Sequence, residues 1–361
     1  MIVSDRAVRR LVCPLALVAV FGMQVPSAVA GLVSHRNQPR ELGRIAWIRG
    51  FDAGIYKSRA KHKPILVLFQ EVPGCQTCVD YGQQVLSHPL IVDAVQTLFV
   101  PVAIYNNLKG SDKKTLADFK EPAWNNPVVR IMTADRRPLA PRVAENYTVA
   151  GLASAMVEAL QKFGRDVPAY LRLLDEELSS RKGGLARATF AMHCFWEGEG
   201  ALGGVSGVVS TVPGFLRKEE VVEIEFDPKT ISYAALVRKA KSLDCASRVY
   251  ARTKEQQAVA RGLVGSSAVR TDQPIRPDKT PKYYLSNTAY RYVPMTGLQA
   301  ARINAALGRK ADPGSYLSPS QLALFRVVQQ HPSAAWPNAI GAKDLPEAWR
   351  AAQAVARSLR K

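Results

Sequence analysis

Cysteine is scarce in this sequence. There are five in 361 residues, and one of them, Cys13, lies in an N-terminal stretch expected to be removed. Four in the remainder are too few for a disulfide scaffold, so chemistry is the better reason for at least one pair. Acidic side chains are also sparse, 30 against 49 Lys and Arg, which leaves a net charge of +19. The chain shows no basic run interleaved with aromatics and no nucleic-acid motif, so nucleic acid is not an expected partner. The positive balance suits a solvated basic surface or contact with anionic partners. No internal repeat is present. Beyond residue 30 no segment is long and apolar enough to span a membrane. Hydrophobic residues nevertheless make up 47% of the chain, which excludes a disordered protein and allows two or three cored domains.

What is present begins with an export signal. Arg6, Arg9 and Arg10 form a basic region, Leu11 to Met23 a short apolar one, and Ala28-Val29-Ala30 a small-residue cleavage site. Residues 1–30 are read as a cleavable signal peptide, which predicts a periplasmic or secreted bacterial protein. An uncleaved anchor is the alternative.

The next region, 31–165, alternates strands and helices in an α/β pattern. Strands are expected at Ile65–Phe69, Thr97–Ile104 and Pro127–Met132, a turn at Asp135-Arg136-Arg137, and helices to about Leu86 and over Ala150–Phe163. Residues 166–184 read as a helical connector stopped by Gly183-Gly184. Residues 185–262 follow a βαββαβ order, the pattern of an α+β ferredoxin-like sandwich. Residues 263–361 open with a Pro-rich basic linker, 271–281, and continue into helices at Thr296–Leu307, Ser318–Gln330 and Pro346–Leu359. This mainly helical region carries no catalytic signature and is expected to cap the other domains or bind a partner.

The chemistry concentrates at Cys75-Gln-Thr-Cys78, placed after the strand and at the start of a helix. Free amides and the dipole at a helix N-terminus stabilise a thiolate, so Cys75 is the expected nucleophile. Cys78, one turn on, is placed to resolve a mixed disulfide. Two alternatives stand beside this redox reading. One is half of a zinc site, for which no second ligand pair appears and His62 and His88 are remote candidates. The other is an inert structural disulfide. No metal and no cofactor is expected.

The segment Trp47 to Ile104 resembles the thioredoxin-like fold of exported thiol reductases. The resemblance rests on Lys61-His-Lys-Pro-Ile-Leu-Val-Leu-Phe69, the CxxC and Phe99-Val-Pro-Val102. It implies a cis-proline facing the CxxC, which falls on Pro127, and protein substrates bearing disulfides. Val72-Pro73-Gly74 stands where thioredoxins usually carry a tryptophan before the nucleophile. This variant is similar to the VPGUxxT thioredoxin-like (seleno)proteins, with Cys75 at the selenocysteine position and Cys78 in place of the threonine.

A second set of residues resembles the A type of peptide methionine sulfoxide reductase: Ala188-Thr-Phe-Ala-Met-His-Cys-Phe-Trp196, Glu199, Gly207-Val-Val-Ser-Thr211, Glu220-Val221 and Phe226-Asp-Pro-Lys-Thr-Ile-Ser-Tyr233. The resemblance implies Cys194 as the nucleophile toward a methionine sulfoxide, Phe195 and Trp196 as the cradle for its methyl group, and Glu220 as the acid. Such chemistry needs a thiolate, an apolar wall and a carboxyl group kept neutral by burial. His193 replaces the family's glycine before the nucleophile. The segments after Phe215 and after Asp244, which carry the family's sulfoxide-binding tyrosines and an aspartate, are short or missing. His193 is read as a surface or core histidine. Cys245 is open to three readings: resolving cysteine, buried thiol or structural disulfide. Met192-x-Cys194 also resembles a heavy-metal-associated domain, but Glu197 occupies its second cysteine position. The expected whole is an exported thiol-disulfide oxidoreductase passing electrons from Cys75–Cys78 to Cys194, recharged by a membrane-borne or periplasmic thiol donor. The alternative is a reductase or isomerase whose second domain only binds.

Overall fold

A computed structural model describes residues 38–341 and 344–359. The expected signal peptide lies outside the described residues, and none of the described helices is long and apolar enough to cross a membrane.

The first half comprises β1 (Ile48–Arg49), α1 (Phe51–Lys61), β2 (Ile65–Gln70), α2 (Gln76–Asp80), α3 (Pro89–Leu98), β3 (Val100–Tyr105), α4 (Ser111–Phe119), β4 (Val128–Met132), α5 (Val149–Phe163) and α6 (Ala169–Gly183). The four strands make one sheet in the order β1-β3-β2-β4, with β2 parallel to β3 and antiparallel to β4. All six residues of β2 are buried, because both faces are covered by helices. Leu66 and Leu68 pack with Leu90 and Ile91 of α3 and Leu152 and Met156 of α5. Ile65, Val67 and Phe69, on the opposite face, meet Phe51 of α1 and Leu116 of α4. The period-2 alternation of a strand thus serves two cores at once.

The strand β3 begins at Val100 rather than at the expected Thr97, since Thr97 and Leu98 close α3. An apolar run does not reveal its period when it is buried on every side, although Pro89 at the first helical turn is a start signal for α3. α6 is more than a connector: Tyr170, Leu171 and Leu174 belong to the first core.

The second half contains β5 (Ala186–Ala191), α7 (Phe195–Gly203), β6 (Val208–Leu216), β7 (Glu219–Phe226), α8 (Tyr233–Ser242), β8 (Arg248–Ala251), α9 (Lys254–Val264), β9 (Ala268–Arg270) and β10 (Arg276–Pro277). The six-stranded sheet runs β10-β6-β7-β5-β8-β9. The expected linker, 271–281, is therefore not a linker throughout, since β10 lies within it and β9 ends just before it. β9 pairs with β8 in parallel, and β10 pairs with β6 in antiparallel, so together they add an edge strand on each side. Strands of two and three residues carry no readable period, and Pro277 is tolerated because it sits on an edge.

The chain ends with α10 (Tyr283–Ser286), α11 (Gly297–Gly308), α12 (Pro319–Gln330) and α13 (Leu345–Ser358). α11 and α12 start with capping boxes, Thr296 with Gln299 and Ser318 with Gln321, which fix both starts. α11 packs on α7 and α6. The Leu298 amide donates to Glu177 of α6 at 2.8 Å. The Ser320 amide and hydroxyl donate to buried Asp93 of α3 at 3.0 and 2.6 Å. The C-terminal helices thus hold contacts with both halves.

Candidate active site

Cys75 is the N-cap of α2, which continues as a π-helical turn over Tyr81–Val85. Its thiol is exposed, whereas Cys78 is fully buried, and the two sulfurs stand 3.6 Å apart. The backbone amide of Cys78 is the main influence that holds the Cys75 thiol below its ordinary value, with smaller help from Thr77. Burial, and then the neighbouring Cys75, pushes the Cys78 thiol up to about 12. Gly74 is required by space. A Cβ there would lie 2.5 Å from the Glu71 carbonyl oxygen and 2.8 Å from the Cys78 Cβ. The side chain that thioredoxins usually place before the nucleophile has no room.

Around this pair stand residues that sequence reasoning missed. The Cys78 thiol donates to Asn126 Oδ1 at 2.6 Å, and the same oxygen accepts from the Glu71 amide at 3.2 Å. Glu41, buried, accepts from the Gly74 amide at 2.9 Å. Asn126 also precedes Pro127 across a cis peptide bond, which is where the cis-proline was expected; Val72–Pro73 is a second cis bond that was not. Trp124, 80% exposed, flanks the same loop.

Cys194 is likewise an N-cap, of α7, and is half-buried. The Phe195 amide donates to Glu220 Oε2 at 2.9 Å, so the carboxylate sits at the helix start beside Cys194. Glu220 is half-buried rather than buried. Phe195 is in the core, 5.2 Å from the Phe215 ring. Trp196 is stacked by Tyr283 at 4.2 Å, and its indole N–H donates to Asp278 at 3.3 Å. One turn on, fully buried Glu199 accepts from the Lys282 amide at 2.7 Å and its ammonium at 2.6 Å. Residues 278–284 therefore close over the Cys194 helix. Nothing in the sequence marked them, since the pairing spans 83 residues.

Cys245 lies just past α8, buried, with its thiol donating to the Leu243 carbonyl at 3.2 Å. Burial, with Asp244 and Glu197, pushes this thiol up to about 11. Cys194 and Cys245 are both free. His193 is exposed, and Met192 packs into the core against Gly198.

Both regions have counterparts among known proteins. Residues 46–134 match the family model described as thioredoxin-like. This segment is a thioredoxin-like domain. Two curated relatives are peptide methionine sulfoxide reductases, each 32% identical to this chain. MsrA of Methanoculleus marisnigri aligns over 109 residues, 21% of this chain and 66% of the relative. MsrA 1 of a Nostoc species aligns over 81 residues, 18% of this chain and 50% of the relative. The chain thus spans between half and about two thirds of these relatives' length. A solved structure, the DsbH oxidoreductase, is 20% identical and covers 34% of this chain and 90% of its own, at a TM-score of 0.29. The thioredoxin-like match and the partial likeness to the sulfoxide reductases fall on the two cysteine regions in turn.

Among the described residues, the histidines considered as zinc ligands do not join Cys75 and Cys78 in a cluster of close donor atoms. His62 ends α1 in a left-handed conformation. His88 is buried before α3, where burial pushes it down to about 4.

Proposed function

We propose that the protein is an exported thiol-disulfide oxidoreductase whose thioredoxin-like dithiol supplies electrons to a methionine sulfoxide reductase-like site at Cys194. The carrying observation is the asymmetry of the pair: an exposed, acidic Cys75 lies 3.6 Å from a buried, basic Cys78.

In disulfide reduction, the Cys75 thiolate attacks a substrate sulfur and expels the partner sulfur as a thiolate. Cys78 loses its proton and attacks Cys75, forming the Cys75–Cys78 disulfide and expelling the second substrate thiol. Two electrons pass to the substrate, whose sulfurs end protonated. At the second site, Cys194 attacks the sulfoxide sulfur while Glu220 protonates the departing oxygen. The products are methionine and a Cys194 sulfenic acid. Cys245 condenses with that acid, releasing water. The resulting disulfide is the internal substrate of Cys75, and an external thiol donor, membrane-borne or periplasmic, restores the dithiol. The strand order β6-β7-β5-β8 around Cys194 and the sulfoxide reductase relatives support reading this unit as a ferredoxin-like, reductase-derived domain.

A second reading, in which this domain only binds partners, is favoured by Tyr283 covering one face of Trp196 and by the half-exposed Glu220. One experiment separates them. Cys78→Ser is expected to trap a mixed disulfide between Cys75 and Cys194 or Cys245 within one chain, identified by mass spectrometry of a non-reduced digest. Mixed disulfides to other proteins alone would favour the binding reading.

A further inference from the structure

Glu71 has no part in the electron route above, yet its carboxylate and the sulfurs of Cys75 and Cys78 all lie within 4.8 Å of one another. Among the described residues no Lys, Arg or His forms an ion pair with this carboxylate. The Glu71 main chain is tied to the same loop, its amide donating to Asn126 Oδ1 at 3.2 Å. That oxygen is in turn 2.6 Å from the Cys78 sulfur. A carboxylate that no described basic side chain pairs, and two thiols, converging beside a neutral carbonyl oxygen, make a donor set for a cation.

The geometry points to a zinc-binding site formed by Glu71, Cys75 and Cys78 in the reduced protein. Two thiolates bound tetrahedrally at about 2.3 Å from zinc stand about 3.8 Å apart, and the sulfurs are already 3.6 Å apart. The mixed sulfur and oxygen set suits a borderline-soft, redox-inert ion better than magnesium or calcium, which take oxygen alone. Exposed Cys75 gives the ion a path in, while buried Cys78 anchors it. Binding forms two Zn–S bonds and one Zn–O bond and releases the two thiol protons to solvent. The fourth position stays open to water. Oxidation to the Cys75–Cys78 disulfide removes both thiolates, so zinc occupancy and the disulfide exclude each other. Zinc would hold the dithiol reduced and idle until a chelating partner or falling zinc frees it. This site is independent of any role for Cys194.

The test is a titration of the full mature chain with zinc itself, in competition with a chromophoric chelator. The reduced protein is expected to bind one zinc per chain, and the oxidised protein at least about 100-fold more weakly. Cobalt substitution reads the ligands directly, through a thiolate charge-transfer band and intense visible bands of tetrahedral metal. Glu71→Gln, similar in size, is expected to weaken zinc binding by about 10-fold or more. Glu71→Asp, which keeps the charge, should recover part of the loss. Equal affinity in the oxidised chain, no effect of either Glu71 substitution, or zinc lost in a Cys194→Ser, Cys245→Ser chain would each overturn the assignment. Disulfide reduction by metal-free protein is a separate readout, so failure of zinc binding leaves the redox reading standing.

Discussion

Among the described residues two cysteines cap helices, and they are placed to do different things. Cys75 opens α2 and Cys194 opens α7. At Cys75 the nearby amides of Cys78 and Thr77 act on the sulfur, and the adjacent side chain is a second thiol. At Cys194 the first helical amide is taken by the Glu220 carboxylate, and the resolving candidate, Cys245, bonds instead to a backbone carbonyl. The same local motif therefore gives a dithiol poised for exchange in one case, and a thiol beside an acid in the other. What differs is who competes for the amides at the helix start.

The largest expected effect tests whether the two sites can be separated. Cys75→Ser should lower disulfide reduction by about 10³-fold or more, because the covalent step is lost. Cys194→Ser should leave the initial rate on an external disulfide unchanged within about two-fold. Comparable losses in both would show a single coupled centre. Next is the acid at the second site. With dithiothreitol as reductant, Glu220→Gln should slow methionine sulfoxide reduction by about 10²-fold or more, the contribution of a placed general acid. An unchanged rate would leave Glu220 as a helix cap only.

A third experiment asks whether the C-terminal segment belongs to the second site. Lys282→Met leaves fully buried Glu199 without its cation. Breaking such a pair costs about 3–5 kcal/mol, read as a lower denaturation midpoint that should spare a thioredoxin-like domain unfolding separately.

Titration sharpens the contrast within the dithiol. Cys75 is held below the ordinary thiol value and Cys78 is raised to about 12. As pH rises, Cys75 loses its proton first, so alkylation of reduced, metal-free protein should modify Cys75 well before Cys78. Cys78 should react only in strong alkali, and first labelling of Cys78 would reverse the assignment. The smallest effect concerns Trp124. Trp124→Ala should raise KM for protein disulfides several-fold and leave small disulfides unaffected, since an exposed indole beside the dithiol loop offers apolar contact only to a large substrate.

The sequence was legible where local rules decide. The apolar run Ile65–Phe69, the helix-start position of Cys75 and the turn at Asp135-Arg136-Arg137 are short-range signals, and each appears in the fold. The helix stop at Gly183-Gly184 appears too, with Gly184 at a φ of 87° that L side chains avoid. The thioredoxin-like domain could be recognised for the same reason: strand, dithiol, helix and cis-proline follow one another along the chain. Thr97 closes a helix rather than opening a strand, and the sequence hides this because an apolar run buried on all sides has no exposed face to show its period.

Tertiary structure alone decided the surroundings of both cysteines. Asn126 and Glu41 reach the dithiol from 48 and 33 residues away. Lys282 neutralises Glu199 across 83 residues, and Tyr283 covers Trp196 from just past the stretch whose Pro-rich, charged composition reads as a linker. A charge there looks like solvent-facing charge until the fold supplies a buried counter-ion. Composition and spacing record what a residue can do with its chain neighbours, whereas burial and pairing depend on which distant segment is folded against it.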